Sequence, residues 1–248
     1  MNFITFGNKN NKSILFIHGL ASTADLCFRP LLAYLQNYYV IFCQLDGHCS
    51  YKPNDLVSMK QTIDNIEEYI LNEMSGSVYG LCGFSMGATI AVELIGRENI
   101  SASRVLLDAA ITAELGLMAT SFTHAFIIGT SRIKNKKPLP KFLLDKLMGK
   151  VNLSVIEMMY PQISKKTIKN AYKFIYHYKA PENLAKFSNP VMFWRGSEEP
   201  IPGKSEKILR EYLLQMETEV FEGMDHGQFL HEHPKEYAEK LRLFLENK

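Results

Sequence analysis

The stretch Gly83-Phe84-Ser85-Met86-Gly87 decides the fold of this 248-residue chain. The apolar residues 77–82 before it predict a short buried strand, and residues 86–97 after it predict a helix. A serine on a sharp strand-to-helix turn needs small residues two positions before and after it, because other backbone lies very close. The pattern therefore predicts a serine nucleophile at a strained turn, with the N-terminus of a helix aimed at the reacting centre.

The bulk composition is ordinary for a globular protein, with 46% hydrophobic residues, 22% charged residues and a formal net charge of +2. A single α/β domain of this length can bury a sizeable core. The sequence starts without the basic and apolar regions of a secretory signal, and no apolar run is long enough to span a bilayer. We expect a soluble, cytoplasmic protein with no membrane span and no nucleic-acid partner; the oligomeric state is left open.

The four cysteines show neither C-x-x-C pairs nor the spacing of a disulfide framework. We therefore expect no metal site and no disulfide. Cys43 and Cys82 lie in apolar runs and are expected in the core, whereas Cys49 lies in a loop and is expected to be the most exposed.

Strand and helix patterns alternate along most of the chain. Strands are predicted at 2–6, 13–17, 40–45, 77–82, 104–108, 190–195 and 217–221, and helices at 26–37, after Ser58, at 86–97, 205–215 and 234–246. In the helix after Ser58, the residues expected to share one apolar face are Met59, Ile63, Ile66, Ile70 and Leu71. This order predicts an α/β fold, a mostly parallel open sheet with helices on both faces. Polar residues that follow strands then meet at one sheet edge.

The alternation of strand and helix patterns stops between residues 109 and 189, where no clear strand pattern appears. Helix-like runs occur at 141–149, 153–160 and 164–178. We predict that residues 1–108 and 190–248 form the core and that 109–189 is a helical cap over the strand ends. The alternative is a further part of the helical layer. Met158, Met159 and Tyr160 are expected in core or lid packing, and some of them are candidates to line a substrate pocket.

A serine hydroxyl needs a base beside it to act as a nucleophile at neutral pH. His226 lies in a glycine-flanked loop after the last strand, which returns to the sheet edge of Ser85. The orienting acid is expected after a strand between serine and histidine. Glu198 and Glu199 both qualify, and Asp108 is the reserve candidate; Asp225 adjoins His226 but is expected to point away from it.

Two backbone amides are needed for the oxyanion of a tetrahedral intermediate. One is that of Met86, directly after the serine. The other is expected in the turn after strand 13–17, from Leu20 or alternatively Ala21. His18 is expected to shape this turn through hydrogen bonds rather than to act as a base.

These motifs, in this order, resemble the α/β-hydrolase family across almost the whole chain. His18-Gly19 resembles its oxyanion-turn motif, Asp46-Gly47-His48-Cys49-Ser50 its D-x-G-x-G-x-S loop, and Gly223-Met224-Asp225-His226-Gly227 its catalytic-histidine loop. Gly196-Ser197-Glu198-Glu199 is similar to the family's G-x-x-D, so the resemblance implies a triad of Ser85, Glu199 and His226. It departs from the family in having Glu where Asp is commoner and in retaining only part of the D-x-G-x-G loop.

The resemblance implies a serine hydrolase that cleaves small-molecule carboxylic esters without a cofactor, similar to carboxylesterases and lipase-related members. His18, Gly19 and Phe84 are expected at the substrate. The serine argues against the haloalkane dehalogenase and epoxide hydrolase branches, which use Asp, and the elbow lacks the G-G-S-W-G form of proline iminopeptidases. The alternatives are a thioesterase, a C–C bond hydrolase or an acyltransferase with the same triad, or a non-catalytic ligand-binding protein of this fold.

Overall fold

A twisted sheet of seven strands, in the order β1-β3-β2-β4-β5-β6-β7, forms the centre of the part of the chain that the structure describes. The computed structural model describes residues 1–49, 54–114, 116, 118–138 and 159–247. The strands are β1 (Asn2–Phe6), β2 (Ser13–Ile17), β3 (Tyr39–Gln44), β4 (Ser77–Phe84), β5 (Ser101–Asp108), β6 (Val191–Gly196) and β7 (Glu217–Phe221). Only the pairing of β1 with β3 is antiparallel among these seven strands; the other neighbours are parallel.

Eight α-helices are present in the described residues. They are α1 (Ala24–Phe28), α2 (Met59–Glu73), α3 (Met86–Gly96), α4 (Met118–Lys134), α5 (Lys165–Ile175), α6 (Pro200–Tyr212), α7 (Gln228–Glu232) and α8 (Pro234–Glu246). Two 3₁₀ segments lie at Arg29–Tyr34 and Glu182–Lys186. In this part of the chain no helix combines the length and the apolar character needed to cross a membrane.

The central strands are apolar on both faces because helices cover both faces. Successive side chains of a strand point to opposite sides, so Leu15 and Ile17 join the core beneath α2 and α3. Ile14 and Phe16 join the second core, beneath α1 and α8. The predicted α/β fold class is confirmed, and the parallel strands bring their carboxyl ends to one edge.

Several element boundaries differ from the sequence prediction. The predicted helix 26–37 is confirmed only in part: an α-helix covers Ala24–Phe28, and a 3₁₀ segment follows to Tyr34. Pro30 has no amide hydrogen, and its ring would clash with the carbonyl group four residues earlier, so the α-helix cannot continue through it. The helix predicted at 205–215 begins earlier, at Pro200, because proline is tolerated in the first turn.

The apolar face of α2 is confirmed at its buried positions but not at Leu71. Ser58 caps this helix, and its hydroxyl accepts a hydrogen bond from the Gln61 amide at 3.2 Å. Ile66 is fully buried, whereas Leu71 is 45% exposed. Leu71 directly follows the buried Ile70, and the 100° step between neighbours turns it out of the core.

A pair of substitutions on α2 tests this packing. Ile66→Ala is expected to lower the free energy of unfolding by about 2–5 kcal/mol, because it leaves a cavity in the core. Leu71→Ala removes a half-exposed side chain from the same helix and is expected to cost less than about 1 kcal/mol. Urea denaturation of both variants measures the difference, and equal losses would contradict the packing described.

The described residues between Asp108 and Val191 contain two α-helices, α4 and α5, and no strand. The predicted run 164–178 contains α5. Outside the described residues lie the predicted run 141–149 and residues 153–158 of the predicted run 153–160, which include Met158. Met159 and Tyr160 are described and are not helical. The division into a core and a cap stays a prediction.

All four cysteines are free. Cys27, Cys43 and Cys82 are buried, and Cys49 is partly exposed. These placements confirm the expectations for Cys43, Cys82 and Cys49.

Candidate active site

Ser85 lies on a strained turn between β4 and α3. Its backbone has φ 55° and ψ −118°, a combination that non-glycine residues rarely adopt. A Cβ atom on Gly83 would lie 2.4 Å from the carbonyl oxygen of Gly87, and one on Gly87 would lie 1.9 Å from that of Ile17. Neither position has room for a side chain, so both require glycine, as expected from the sequence.

Three predicted side chains meet in a chain of short contacts. His226 Nε2 lies 2.9 Å from Ser85 Oγ, and His226 Nδ1 lies 2.6 Å from Glu199 Oε1. The other carboxylate oxygen, Glu199 Oε2, accepts a hydrogen bond from the Gly196 amide at 2.5 Å. With Nδ1 donating to Glu199, Nε2 is free to accept the serine proton, which is the arrangement of an activated serine nucleophile.

Two loops hold His226 against Glu199. The Glu198 amide donates to the carbonyl oxygen of Met224 at 3.1 Å, and a Cβ on Gly196 would lie 2.0 Å from that same oxygen. The loops after β6 and β7 are therefore in direct backbone contact. The Asp225 carboxylate accepts a hydrogen bond from the backbone amide of His226 at 2.7 Å, and this contact restrains the backbone of the loop at His226.

The electrostatic surroundings of His226 favour its protonated form. Burial lowers the pKa of the imidazole, but the hydrogen bond and charge of Glu199, with smaller contributions from Asp108 and Asp225, outweigh burial and raise this pKa above 6.5. The Phe84 ring packs at 5.0 Å, centroid to centroid, from the imidazole. The sequence analysis expected Phe84 to contact the substrate; the structure places its ring against the imidazole of His226.

The turn after β2 borders the serine. A Cβ on Gly19 would lie 3.2 Å from Ser85 Cβ and 3.1 Å from the Phe84 ring, so this turn passes directly beside the nucleophile. Leu20 follows Gly19 in the turn. Met86 is the first residue of α3, where the amide has no partner within the helix. The turn that contains Leu20 and the first residue of α3, Met86, therefore both adjoin Ser85.

The sequence analysis expected His18 at the substrate, but its side chain is fully buried in protein. Its Nδ1 donates to the Gly19 carbonyl oxygen at 2.8 Å, and its Nε2 accepts from the Leu45 amide at 3.1 Å. Burial, with a smaller effect of His48, lowers the pKa of His18 to about 3, so its ring is neutral. Both ring nitrogens are occupied, which fits a role in shaping the turn.

A backbone hydrogen bond links this turn to the chain beyond α4. The Tyr160 amide donates to the Ala21 carbonyl oxygen at 2.6 Å, and Ala21 has a positive φ of 58°. Apolar side chains from the turn, α4, residues 159–163 and α5 form one cluster at this link: Leu20, Ala21, Phe126, Ile127, Met159, Tyr160, Ile163, Ile168 and Tyr172. Met159 and Tyr160 thus pack against the turn after β2.

Residues 14–240 match the sequence model of the Alpha/beta hydrolase family. The chain belongs to this family. The resemblance inferred from the motifs is therefore confirmed. A comparison with curated proteins gives no match.

Solved structures share the fold of this α/β hydrolase over nearly its whole length. A protein assigned to the alpha/beta hydrolase family, from Desulfitobacterium hafniense, has a TM-score of 0.87 at 21% identity and covers 98% of this chain and 100% of its own. A lipase-esterase related protein from Clostridium acetobutylicum has a TM-score of 0.74 at 20% identity, covering 98% of both chains. An esterase from Exiguobacterium antarcticum has a TM-score of 0.75 at 16% identity, covering 99% of this chain and 95% of its own.

The other candidate acids lie elsewhere. Glu198 is exposed, and the Asp225 carboxylate contacts the amide of His226. Asp108 is buried at the end of β5 and accepts a hydrogen bond from the Tyr237 hydroxyl at 3.1 Å. Of the candidates, Glu199 is the one that the structure brings within hydrogen-bond distance of the His226 ring.

Sequence reasoning missed two polar residues that support the site. Gln44 donates to the carbonyl oxygen of His48 at 2.9 Å and lies 3.2 Å from His18 Nε2. A polar side chain at the end of an otherwise apolar strand was the available signal. Tyr237, the partner of Asp108, lies within the last helix and gave no signal.

Proposed function

We propose that this α/β hydrolase cleaves carboxylic esters through an acyl-enzyme formed on Ser85. The observation that carries the proposal is the pair of short contacts from Ser85 Oγ to His226 Nε2 and from His226 Nδ1 to Glu199 Oε1, at 2.9 and 2.6 Å. This arrangement supplies a nucleophile, a base and an acid that orients the base. The similarity to esterase folds is in agreement with it.

In the first half-reaction, His226 takes the proton of Ser85 as the hydroxyl oxygen attacks the ester carbonyl carbon. The amides of Met86 and Leu20 stabilise the negative charge on the carbonyl oxygen. The imidazolium then gives its proton to the departing alcohol, which leaves the acyl group on Ser85. In the second half-reaction, water attacks the acyl-enzyme with His226 as base, and the carboxylic acid departs.

We also propose that residues 109–189 form a cap at this site, as the sequence predicts. Support comes from the hydrogen bond between the Tyr160 amide and the Ala21 carbonyl oxygen, which joins the segment to the oxyanion turn. The apolar side chains of Phe126 and Ile127 lie in the same cluster as Leu20. Such a surface favours an apolar acyl or alcohol group in the substrate.

The proposed activity is tested with p-nitrophenyl esters from acetate to palmitate, together with an acyl thioester and a C–C bond hydrolase substrate. We expect hydrolysis of the oxygen esters above the buffer rate, with the optimum chain length reporting the pocket size. A folded protein that cleaves only the thioester or the C–C substrate would replace the ester assignment. Tight ligand binding without any turnover would favour the non-catalytic alternative.

The pH dependence tests the role of Glu199. Since Glu199 raises the pKa of His226 above 6.5, and only the unprotonated imidazole acts as base, kcat/KM is expected to rise with pH through a midpoint above 6.5. Glu199→Gln is expected to lower kcat by about 10⁴-fold and to move this midpoint to lower pH, because the charge that holds the proton is gone.

The measurement for Glu199 is kcat/KM between about pH 5 and pH 9 for both proteins, covering the usual histidine range. Glu198→Gln is the matched control, because its exposed neighbouring carboxylate is removed in the same way. Identical profiles for Glu199→Gln and the wild type would contradict the assignment of Glu199 as the orienting acid.

A further inference from the structure

The side-chain amide of Gln44 joins the turn after β2 to the loop after β3. Gln44 is the last residue of β3 and is 5% exposed. Its Oε1 accepts a hydrogen bond from the Ala24 amide at 3.1 Å, and its Nε2 donates to the His48 carbonyl oxygen at 2.9 Å. A backbone amide only donates and a carbonyl oxygen only accepts, so these two partners fix the orientation of the Gln44 side-chain amide.

The orientation of Gln44 bears on which nitrogen of His18 carries a hydrogen. The second hydrogen of Gln44 Nε2 is available to His18 Nε2, which lies 3.2 Å away and also accepts from the Leu45 amide at 3.1 Å. Burial lowers the pKa of His18 to about 3, so the ring carries a single hydrogen near pH 7. Because two donors face Nε2, this hydrogen lies on Nδ1.

The His18 ring in turn sets the direction of the next peptide group. His18 Nδ1 donates to the Gly19 carbonyl oxygen at 2.8 Å. The peptide bond between Gly19 and Leu20 is trans and planar, so its N–H points away from its C=O. With the Gly19 carbonyl oxygen held toward the buried ring, the Leu20 amide is directed away from that ring.

We propose that Gln44 is a positioning residue of this site, which acts through His18 to turn the Leu20 amide toward the oxyanion. The proposal rests on the proposed function, in which that amide stabilises the charged oxygen of the tetrahedral intermediate. Gln44 holds the turn at both ends, at the His18 ring and at the Ala24 amide. A group that orients an oxyanion donor affects the transition state more than the bound ester, so its loss lowers kcat more than it changes KM.

The first test compares Gln44→Met with Gln44→Glu in steady-state hydrolysis of the best p-nitrophenyl ester. Methionine keeps the length of the side chain and removes all three contacts. Glutamate keeps an oxygen for the Ala24 amide but removes the NH₂ group that faces His18. We expect both variants to lose about 10- to 100-fold in kcat with a far smaller change in KM. A wild-type kcat in Gln44→Glu would overturn the proposal.

The same two substitutions at Gln215 are the matched control for a general effect on the fold. Gln215 Nε2 also donates to two backbone carbonyl oxygens, those of Phe187 and Asn189, at 2.7 and 3.0 Å. These carbonyl groups precede β6, at the opposite end of that strand from Glu199. The Gln215 variants are expected to unfold at lower temperature and to keep the wild-type kcat. Equal losses of kcat at Gln44 and Gln215 would overturn the proposal.

A measurement without turnover distinguishes this proposal from the proposed function. Nitrogen-15 NMR of the histidine rings, assigned with a His18→Gln variant, reports which ring nitrogen carries the hydrogen. We expect it on Nδ1 of His18 in the wild type, and we expect the Leu20 amide resonance to shift in Gln44→Glu. A hydrogen on Nε2 of wild-type His18, or an unshifted Leu20 resonance, would overturn the proposal.

Hydrolysis by Ser85→Ala completes the distinction. If hydrolysis requires Ser85 and the Gln44 variants keep the wild-type kcat, the role of Gln44 fails alone. If hydrolysis survives Ser85→Ala while the Leu20 resonance shifts in Gln44→Glu, the proposed function fails and the control of the turn by Gln44 stands.

Discussion

Ser85→Ala is expected to reduce kcat for ester hydrolysis by about 10⁶-fold and to change KM far less. The hydroxyl lies 2.9 Å from the base, and its removal eliminates the covalent route while the surrounding pocket stays. We expect the residual rate to arise from the amides proposed to bind the oxyanion, which still act on bound ester and water. Steady-state kinetics on the best p-nitrophenyl ester measure both constants.

Ser101→Ala is the matched control for this prediction. Ser101 is exposed at the start of β5, at the opposite end of the strand from the site, so this variant is expected to keep wild-type kinetics. Circular dichroism of both variants checks the fold. If Ser85→Ala kept more than about a tenth of the wild-type kcat, attack by Ser85 would be excluded as the main route.

Gly87→Ala is expected to lower the free energy of unfolding by about 3 kcal/mol and to abolish hydrolysis. The added Cβ would lie 1.9 Å from the carbonyl oxygen of Ile17 and 2.5 Å from its carbonyl carbon. Both are backbone atoms of a central strand and cannot move aside cheaply. The first turn of α3 would shift away from β2, and the amide of Met86 would move away from the turn that contains Leu20, its proposed partner in binding the oxyanion. Urea denaturation measures the loss.

Gly203→Ala is the matched control, since Gly203 also lies in the first turns of a helix. A Cβ there would meet only the Arg195 side chain at 3.7 Å, an ordinary contact. Alanine favours helix over glycine by about 1 kcal/mol, so this variant is expected to be at least as stable as the wild type. Equal destabilisation of the two variants would contradict the close approach of α3 to β2.

The central strands were predictable because they are largely buried on both faces and therefore appear as short apolar runs, whereas β1 and β7 are partly exposed. The helix after β2 was not predictable, because a 3₁₀ segment and an α-helix share much of the same apolar pattern. The exposure of Leu71 follows from the 100° step after the buried Ile70, so the helical period itself places Leu71 off the apolar face. The end of α1 just before Pro30 and the start of α6 at Pro200 both follow from the missing amide hydrogen and fixed φ of proline, once the position of each proline in its helix is known.

In the site, residues that lie in local motifs were predictable from the sequence, and contacts between residues far apart in the chain were not. Ser85 and His226 lie in glycine-flanked motifs whose local geometry requires those glycines. Glu198 and Glu199 are adjacent, and the residues alone leave open which one turns inward. The contact between Asp108 and Tyr237 joins residues 129 positions apart, so no local pattern contains it.

The most direct test of the central claim is mass spectrometry of the protein after reaction with a fluorophosphonate, which modifies activated serines. We predict one adduct per chain, mapped by peptide sequencing to Ser85, with no adduct in Ser85→Ala and slow labelling in His226→Gln. Labelling that survives Ser85→Ala, or ester hydrolysis by a protein that forms no adduct at Ser85, would contradict nucleophilic catalysis by this serine.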